Sequence, residues 1–381
     1  MRVCVVGGGI GGLGLARGLA ADGHEVVVLE RSAAPAVGGA AVTIFSNGMA
    51  AASGLGVDLS DLGGDVVELT IERSSGQPLV RTDLSPVRRK SGFPIRTMPR
   101  ARLIERLGEG LTPEQLRYGA VAAAVRVTGA GAVVELADGG LVEADVVVGA
   151  DGNRSATRAA VLADGSPSDV GWLTWQGLGV VLPEIAAGHR GRLLVGSAGL
   201  AGFMPAGDGL TQWWFDGRST AFDASGDALS SVRKAFGSYG TPVPELLATI
   251  GSDDGDWFSH VLRNPAPPWG RGAVTLLGDA AHAFPLSQAQ GANQALEDAW
   301  LLRRALAAAP SGDVPAVLRR YERRRAQRVG VISRMAASER TNRPPGAALG
   351  ALARCMPPGV AGWGYLRLIR RISSVLRDEV P

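Results

Sequence analysis

Between a short apolar run, Arg2 to Val6, and a helical pattern from Leu13 to Ala21, the chain carries Gly7-Gly8-Gly9-Ile10-Gly11-Gly12. Asp22-Gly23-His24 turns the chain, and Glu25-Val26-Val27-Val28-Leu29-Glu30 reads as a second strand. The unit is βαβ, with G-x-G-x-x-G (Gly7, Gly9, Gly12) at the strand-to-helix turn. Each glycine has a physical reason. Gly7 permits the tight turn, Gly9 lets the backbone approach a pyrophosphate, and Gly12 lets helix and strand pack closely. The helix start adds unpaired N–H groups and the positive end of its dipole. Glu30 falls about twenty residues on, where an acid accepts a hydrogen bond from a ribose 2′-hydroxyl. An acid there disfavours a 2′-phosphate, so FAD or NAD fits this site and NADP does not.

Two later segments decide which dinucleotide. Asp145 to Arg158 reads as a buried strand, an Asp151-Gly152 turn, and a helix start with Ser155 near its cap. Ala273 to His282 is a strand ending in Gly278-Asp279, and after Pro285 the stretch Gln290 to Ala299 opens a helix. A carboxylate at a strand's end accepts a bond from a ribityl hydroxyl, and a helix N-terminus places N–H groups near a flavin carbonyl. With these three motifs in this order, the chain resembles the single-component FAD-dependent aromatic hydroxylases, the para-hydroxybenzoate hydroxylase-like monooxygenases. The resemblance covers nearly the whole chain. It is specific for the fold and says little about substrate.

The resemblance implies an α/β fold: a Rossmann-like FAD-binding domain with an inserted β-sheet substrate domain and C-terminal helices. Residues 1–70, 95–165 and 265–345 would form the discontinuous FAD-binding domain, 71–94 and 166–264 the substrate domain, and 346–381 a helical tail. Carried over by position, Gly7, Gly9 and Gly12 would hold the FAD pyrophosphate, with Glu30 on the adenosine ribose and Arg31 beside it. Arg100 matches an arginine placed against FAD, and Val121 falls where backbone touches adenine. Asp151 and Arg158 match residues that position flavin and dock NAD(P)H transiently. Asp279 would bind the ribityl chain, and Gly291, Ala292 and Asn293 would face the flavin pyrimidine edge. His282 reads as a hydrogen-bonded structural group rather than a general base. No catalytic acid–base residue is assigned.

The chain departs from the pattern in one place. Pro285 stands three residues after His282 rather than four, Leu286 takes the usual proline place, and Ala289 replaces a glycine. By resemblance these positions lie over the reactive face of the flavin, where an extra side chain would reshape the oxygen pocket.

From about 166 to 264 the βαβ rhythm gives way to strands, and Trp172, Trp175, Phe203, Trp213, Trp214 and Phe215 gather there. Alternation puts Trp213 on one strand face with Thr211 and Phe215, and Trp214 on the other with Gln212. Phe203, Trp213 and Trp214 are candidates for the substrate pocket, with Gln176 and Arg192 as polar candidates. Helices follow over Asn293 to Ala309 and Val314 to Arg340. The basic run Arg319 to Arg328 reads as a solvated helix face, because one tyrosine is thin support for a nucleic-acid groove. Trp363 to Ile372 is amphipathic and basic, and is expected to pack on the FAD domain, with a peripheral membrane-surface role as the alternative.

Composition excludes several classes. Two cysteines and four histidines without a CxxC pair exclude a disulfide framework and a structural zinc site, so no metal is expected. No uncharged apolar run is long enough to span a bilayer, and the first strand leaves no room for a signal peptide. A reducing cytoplasm is the expected compartment. The resulting expectation is an FAD monooxygenase, monomeric or homodimeric. It would use NAD(P)H as transient co-substrate and O₂ on a small aromatic or polyketide-like secondary metabolite, hydroxylating or epoxidising it through a C4a-hydroperoxyflavin. The rivals are a redox-silent cyclase or isomerase that keeps FAD as structure, and a non-catalytic flavoprotein that sequesters a small molecule.

Overall fold

The computed structural model describes residues 1–35, 40–129, 131–223, 226–308, 313–344, 346 and 355–379. Five strands form a parallel sheet in the order Val274–Leu276, Val146–Gly149, Arg2–Val6, Glu25–Glu30, Leu116–Tyr118. Valine runs suit a strand buried on both faces, and alternation divides them here. Val3, Val5, Val26, Val28, Val146 and Val148 face a core shared with the helices Ile10–Ala21, Arg100–Gly108 and Gly291–Ala307. Cys4, Val6, Leu29 and Val147 face the antiparallel meander Ala122–Val127, Ala132–Leu136, Leu141–Ala144. Burial there pushes the Cys4 thiol up to about 12.

The second layer is a seven-stranded sheet ordered Gly255–Leu262, Ser168–Gly179, Thr211–Arg218, Gly199–Pro205, Arg190–Val195, Glu68–Arg73, Pro78–Asp83. It is antiparallel except where Arg190–Val195 pairs with Glu68–Arg73. The helices Ala228–Phe236 and Val243–Thr249 cover one face, packing Trp175, Leu194, Phe203, Trp213 and Phe215 against Val232, Phe236 and Leu246. The other face turns to the nucleotide sheet. There Gln212 Nε2 donates to the Ala41 carbonyl at 2.9 Å, and Met204 and Trp214 pack with Phe45 and Val66. A small sheet of Ala41–Ile44, Arg96–Pro99 and Gly64–Asp65 lies at this junction.

The basic run is not a solvated face throughout. In the helix Val314–Ala337, Arg320, Arg323 and Arg324 are exposed, but Arg325 is 0% exposed and Glu322 is buried with it. Leu318, Tyr321, Arg325, Val329, Ile332 and Ala336 repeat at helical spacing and form the inner stripe. Arginine reaches this stripe because its partners wait there.

The last long helix, Pro358–Ile372, packs on the edge strand Pro78–Asp83, the helix Ser85–Ser91 and the helix Val314–Ala337. Ile369 and Ile372 pack against Val329, Ile332 and Ala336 of the expected FAD-domain seat. The edge strand gives a second one, where Gly362 lets the helix approach until an added Cβ would stand 2.0 Å from the Asp83 carbonyl oxygen. Residues 347–354 of the predicted tail lie outside the described residues. Among the described residues, no helix is long and apolar enough to cross a membrane.

Candidate functional site

The glycine turn has the geometry its sequence predicts. Gly7 adopts φ +112°, and a Cβ there would stand 2.4 Å from the Ala150 carbonyl oxygen. A Cβ on Gly12 would stand 2.0 Å from the Gly7 carbonyl oxygen, so helix and strand touch. Among the described residues, a Cβ on Gly9 would meet no atom within 4 Å. The space over Gly9 is the cradle, and it opens at the N-terminus of Ile10–Ala21, where amide N–H groups are left over. Glu30 ends its strand beside this turn and accepts from Gly8 N–H at 2.7 Å and Ser32 N–H at 2.8 Å. Arg31 is exposed just beyond, and Val121 is exposed where the meander begins.

The second floor of the cleft is built by Gly278-Asp279. Gly278 adopts φ +57° and donates its N–H to Asp298 Oδ2 at 2.7 Å, which turns the chain so that Asp279 faces the cleft. The Asp279 carboxylate stays open to water along the cleft while protein encloses its other sides. That enclosure raises its pKa, against the pull of His282 and Arg100. Arg100 is thus close enough to act on Asp279, and it is exposed at the first turn of its helix. An added Cβ on Gly291 would stand 3.9 Å from Asp279 Oδ1, so the start of Gly291–Ala307 adjoins the same floor.

Ala289 explains the departure in the motif. It adopts φ +48°, the left-handed region that a glycine would favour, and carries a methyl group there. Its carbonyl accepts from Asn293 Nδ2 at 3.0 Å. Asn293 Oδ1 accepts from Phe45 N–H at 2.8 Å, and Nδ2 also donates to the Thr43 carbonyl at 3.1 Å. The Asn293 side chain is therefore a clamp on the Ala41–Ile44 strand and the residue after it. Leu286 is exposed at the rim.

Behind this floor lies a buried polar network that the sequence reading missed. His282 Nε2 meets Asp298 Oδ2 at 2.7 Å; the imidazole is a held structural group, with Nδ1 buried and unpartnered among the described residues. Arg325 donates to Asp298 Oδ1 at 2.6 Å, Glu297 Oε2 at 3.2 Å and Gln294 Oε1 at 2.8 Å. Asn47 Nδ2 donates to Glu297 Oε1 at 2.9 Å and Gln290 Oε1 at 3.2 Å. Burial tends to raise the Asp298 carboxyl, but His282 and Arg325 outweigh it and hold the group below its ordinary value. Glu297 goes the other way, raised by burial despite Arg325. Asn47 Oδ1 and Gln290 Nε2 are buried without partners among the described residues. The available signal was Glu297-Asp298 set inside the apolar run Leu296, Ala299, Trp300, Leu301.

A second missed cluster ties the sheet to the segment after Val314–Ala337. His260 is fully buried, with Nδ1 2.7 Å from Glu339 Oε1 and Nε2 2.7 Å from Thr174 Oγ1; Thr174 in turn donates to Asp216. Burial opposes the charged imidazole, yet hydrogen bonds and charge from Asp216 and Glu339 carry its pKa to about 9.

Other predicted residues have different work. Asp151 accepts from Ser155 Oγ at 2.5 Å and from Thr157 N–H at 3.0 Å, and Ser155 caps the helix Ala156–Leu162. Arg158 is buried, paired with Asp164 and donating to the Ala280 and Ala281 carbonyls at 3.2 and 2.9 Å. It braces the Asp279 segment. Arg192, Phe203 and Trp213 are corrections. Strand alternation turns all three to the helix-covered face, where Arg192 grips Glu72 at 2.7 and 2.9 Å. Gln176 and Trp214, which pair across strands, lie on the face toward the cleft. Gln212 joins them there, 7% exposed, with Oε1 unpartnered among the described residues.

FAD fits this site. Gly9 leaves an open cradle, Asp279 a carboxylate facing the cleft, and Gly291–Ala307 a helix start beside it. The fold and cleft define an FAD-dependent oxidoreductase of the monooxygenase class. Residues 1–336 match the FAD binding domain family, and the chain belongs to it. It is 32% identical over 344 residues to the aurachin C monooxygenase/isomerase of Stigmatella aurantiaca, covering 86% of each chain. It is 33% identical over 349 residues to a 3-amino-4-hydroxybenzoate 2-monooxygenase of Streptomyces platensis, covering 87% of this chain and 86% of that one. Among solved structures, Klebsiella pneumoniae HpxO complexed with FAD and uric acid superposes with a TM-score of 0.89 at 25% identity, over 97% of both chains.

Proposed function

We propose that the protein uses NAD(P)H and O₂ to hydroxylate or epoxidise a small, largely apolar aromatic or polyketide-like secondary metabolite. The observation that carries this reading is the sheet face bearing Gln176, Gln212 and Trp214, turned to the junction with the nucleotide sheet. It supplies aromatic surface and a few polar groups, which suits a neutral ring better than a polyanion.

Bound FAD supplies the redox and oxygen chemistry. The chain's own residues bind and orient. Gly7, Gly9 and Gly12 with the following helix start hold the pyrophosphate, Glu30 and Arg31 the adenosine ribose, and the Val121 backbone the adenine. Asp279 takes the ribityl chain, Arg100 adds a positive charge beside it, and the amides of Gly291, Ala292 and Asn293 meet the flavin pyrimidine edge. Arg158 keeps the Asp279 segment in place from behind, and Asp151 holds the Ser155 cap of the helix that carries Arg158. Gln212 Oε1 orients the substrate by accepting a hydrogen bond. The unit holding FAD is 1–70, 95–165 and 265–345, and the substrate unit is 71–94 and 166–264.

Ala289 bears on the redox-silent alternative. Its backbone keeps the left-handed shape, so the departure alters a side chain and not the turn. That favours turnover over a structural flavin. The test is NADPH and NADH oxidation with O₂ uptake by the FAD-loaded protein across a panel of phenols and polycyclic aromatics. Ligand-stimulated flavin reduction with one oxygen atom gained by mass supports the reading. Flavin that stays oxidised with every pair overturns it in favour of a cyclase, an isomerase or a sequestering flavoprotein.

A further inference from the structure

The helix Pro358–Ile372 buries Leu366, Ile369 and Ile372 and turns a different stripe outward. Val360 is 56% exposed and Trp363 51%, and Gly364, Arg367, Arg370 and Arg371 continue the outer side at helical spacing. Met356, just before the helix, is exposed as well. Lys90, on the adjoining helix Ser85–Ser91, places its ammonium 5.9 Å from the centre of the Trp363 ring. Nearby ion pairs use other groups: Arg88 with Asp65, Arg304 with Asp378, Arg328 with Glu379. Lys90, Arg367, Arg370 and Arg371 have no carboxylate partner among the described residues. The face is an apolar tip, Met356, Val360 and Trp363, bordered by cations of one sign.

Charge selects the occupant. A second copy docking about a two-fold axis would set these cations against themselves, which like-charge repulsion opposes. A nucleic-acid backbone would match the cations and leave Met356 and Val360 facing water. An anionic bilayer matches both halves: an indole sits well at the level of the headgroups, short apolar side chains just below, and basic side chains against lipid phosphates. We propose that this face docks the protein on an anionic lipid surface, with Trp363 and Val360 entering the headgroup layer and Lys90, Arg367, Arg370 and Arg371 meeting lipid phosphates. The protein lies on the membrane and does not cross it. Tyr365, on the inner side of the same helix, reaches Phe45 with ring centres 6.0 Å apart, so the docked face lies one helix away from the junction of the two sheets.

Flotation of the full-length, FAD-loaded protein with vesicles tests this. Phosphatidylglycerol vesicles at low salt should carry the protein up, with partitioning at least about tenfold above that for phosphatidylcholine and falling as salt rises. The exposed charge reversals Arg367→Glu and Arg370→Glu together should lower it by about tenfold or more. Trp363→Ser with Val360→Ser should lower it and keep the salt dependence of what remains. Unchanged melting temperatures establish that each variant is folded. No flotation with phosphatidylglycerol overturns the proposal, as does flotation indifferent to both pairs of substitutions. Concentration-dependent dimerisation that Trp363→Ser abolishes, without vesicle binding, assigns the face to a second copy and overturns it too. Binding of a mixed-sequence oligonucleotide without vesicle binding has the same force.

Discussion

Arg325 donates its Nε–H to Asp298 Oδ1 at 2.6 Å, with both side chains sealed from solvent. The same guanidinium reaches Glu297, and Asp298 holds His282 and the Gly278 amide, so one arginine supports the turn that aims Asp279. Removing one partner of a buried pair leaves an uncompensated charge, which costs about 3–5 kcal/mol. Arg325→Met is expected to destabilise the protein by that amount in urea unfolding. Arg325→Lys should recover only part of it, because an ammonium cannot reproduce the fork of donors.

Gly9 and Gly12 separate cofactor binding from folding. Gly9→Ala adds a methyl group where no atom of the described residues lies within 4 Å, so unfolding without FAD should be nearly unchanged. The methyl stands in the phosphate cradle, and FAD affinity should fall by about tenfold or more, read by flavin fluorescence titration. Gly12→Ala drives its Cβ to 2.0 Å from the Gly7 carbonyl oxygen and should lose the folded domain itself.

His260 makes stability pH-dependent on the alkaline side. Its pKa is about 9 in the folded protein against an ordinary 6.5, so its contribution is full below 6.5 and is lost as pH rises through 9. The contribution is on the order of 3 kcal/mol. Urea melts from pH 6 to pH 10 should show this loss in the wild type. His260→Gln should be less stable at pH 6 and show a flatter alkaline limb; parallel curves would reject the assignment.

At position 289 the backbone asks for glycine. Relief of left-handed strain and the added freedom of the unfolded chain nearly cancel, so Ala289→Gly should change stability by less than about 1 kcal/mol. Ala289→Val places a β-branched residue at φ +48° and should cost more than about 1 kcal/mol and weaken FAD retention, measured by the flavin-to-protein absorbance ratio.

Arg192 tests which face of the sheet holds the pocket. Arg192→Ala leaves Glu72 buried without its partner and should lower stability by about 2–4 kcal/mol. Substrate KM should not move. Gln212→Leu is expected to raise KM and, by stranding the Ala41 carbonyl, to lower stability by about 1–3 kcal/mol as well.

The nucleotide half was legible because glycine geometry is local: Gly12 answers to Gly7 within the same turn, and Gly7 to Ala150 at the end of the neighbouring strand. Trp213 and Trp214 were assigned to opposite strand faces by alternation alone, but which face met the cleft depended on the Ala228–Phe236 helix covering one of them. Arg325 and Glu297 were illegible for a similar reason. Their burial depends on partners 28 residues apart in sequence, and a charged residue taken alone reads as solvated. Arg192 failed because its partner Glu72 stands on a strand 120 residues earlier.

The strand that completes the nucleotide sheet, Val274–Leu276, and the helix that floors the cleft, Gly291–Ala307, belong to the last third of the chain, whereas the phosphate turn lies within its first dozen residues. On the ribosome the turn therefore emerges long before its outer strand and its floor, by on the order of 10–50 s at ordinary elongation rates. Flavin capture is a late event of synthesis. A ribosome that stalls before the floor helix releases a product that has the glycine turn and lacks the helix start beside Asp279.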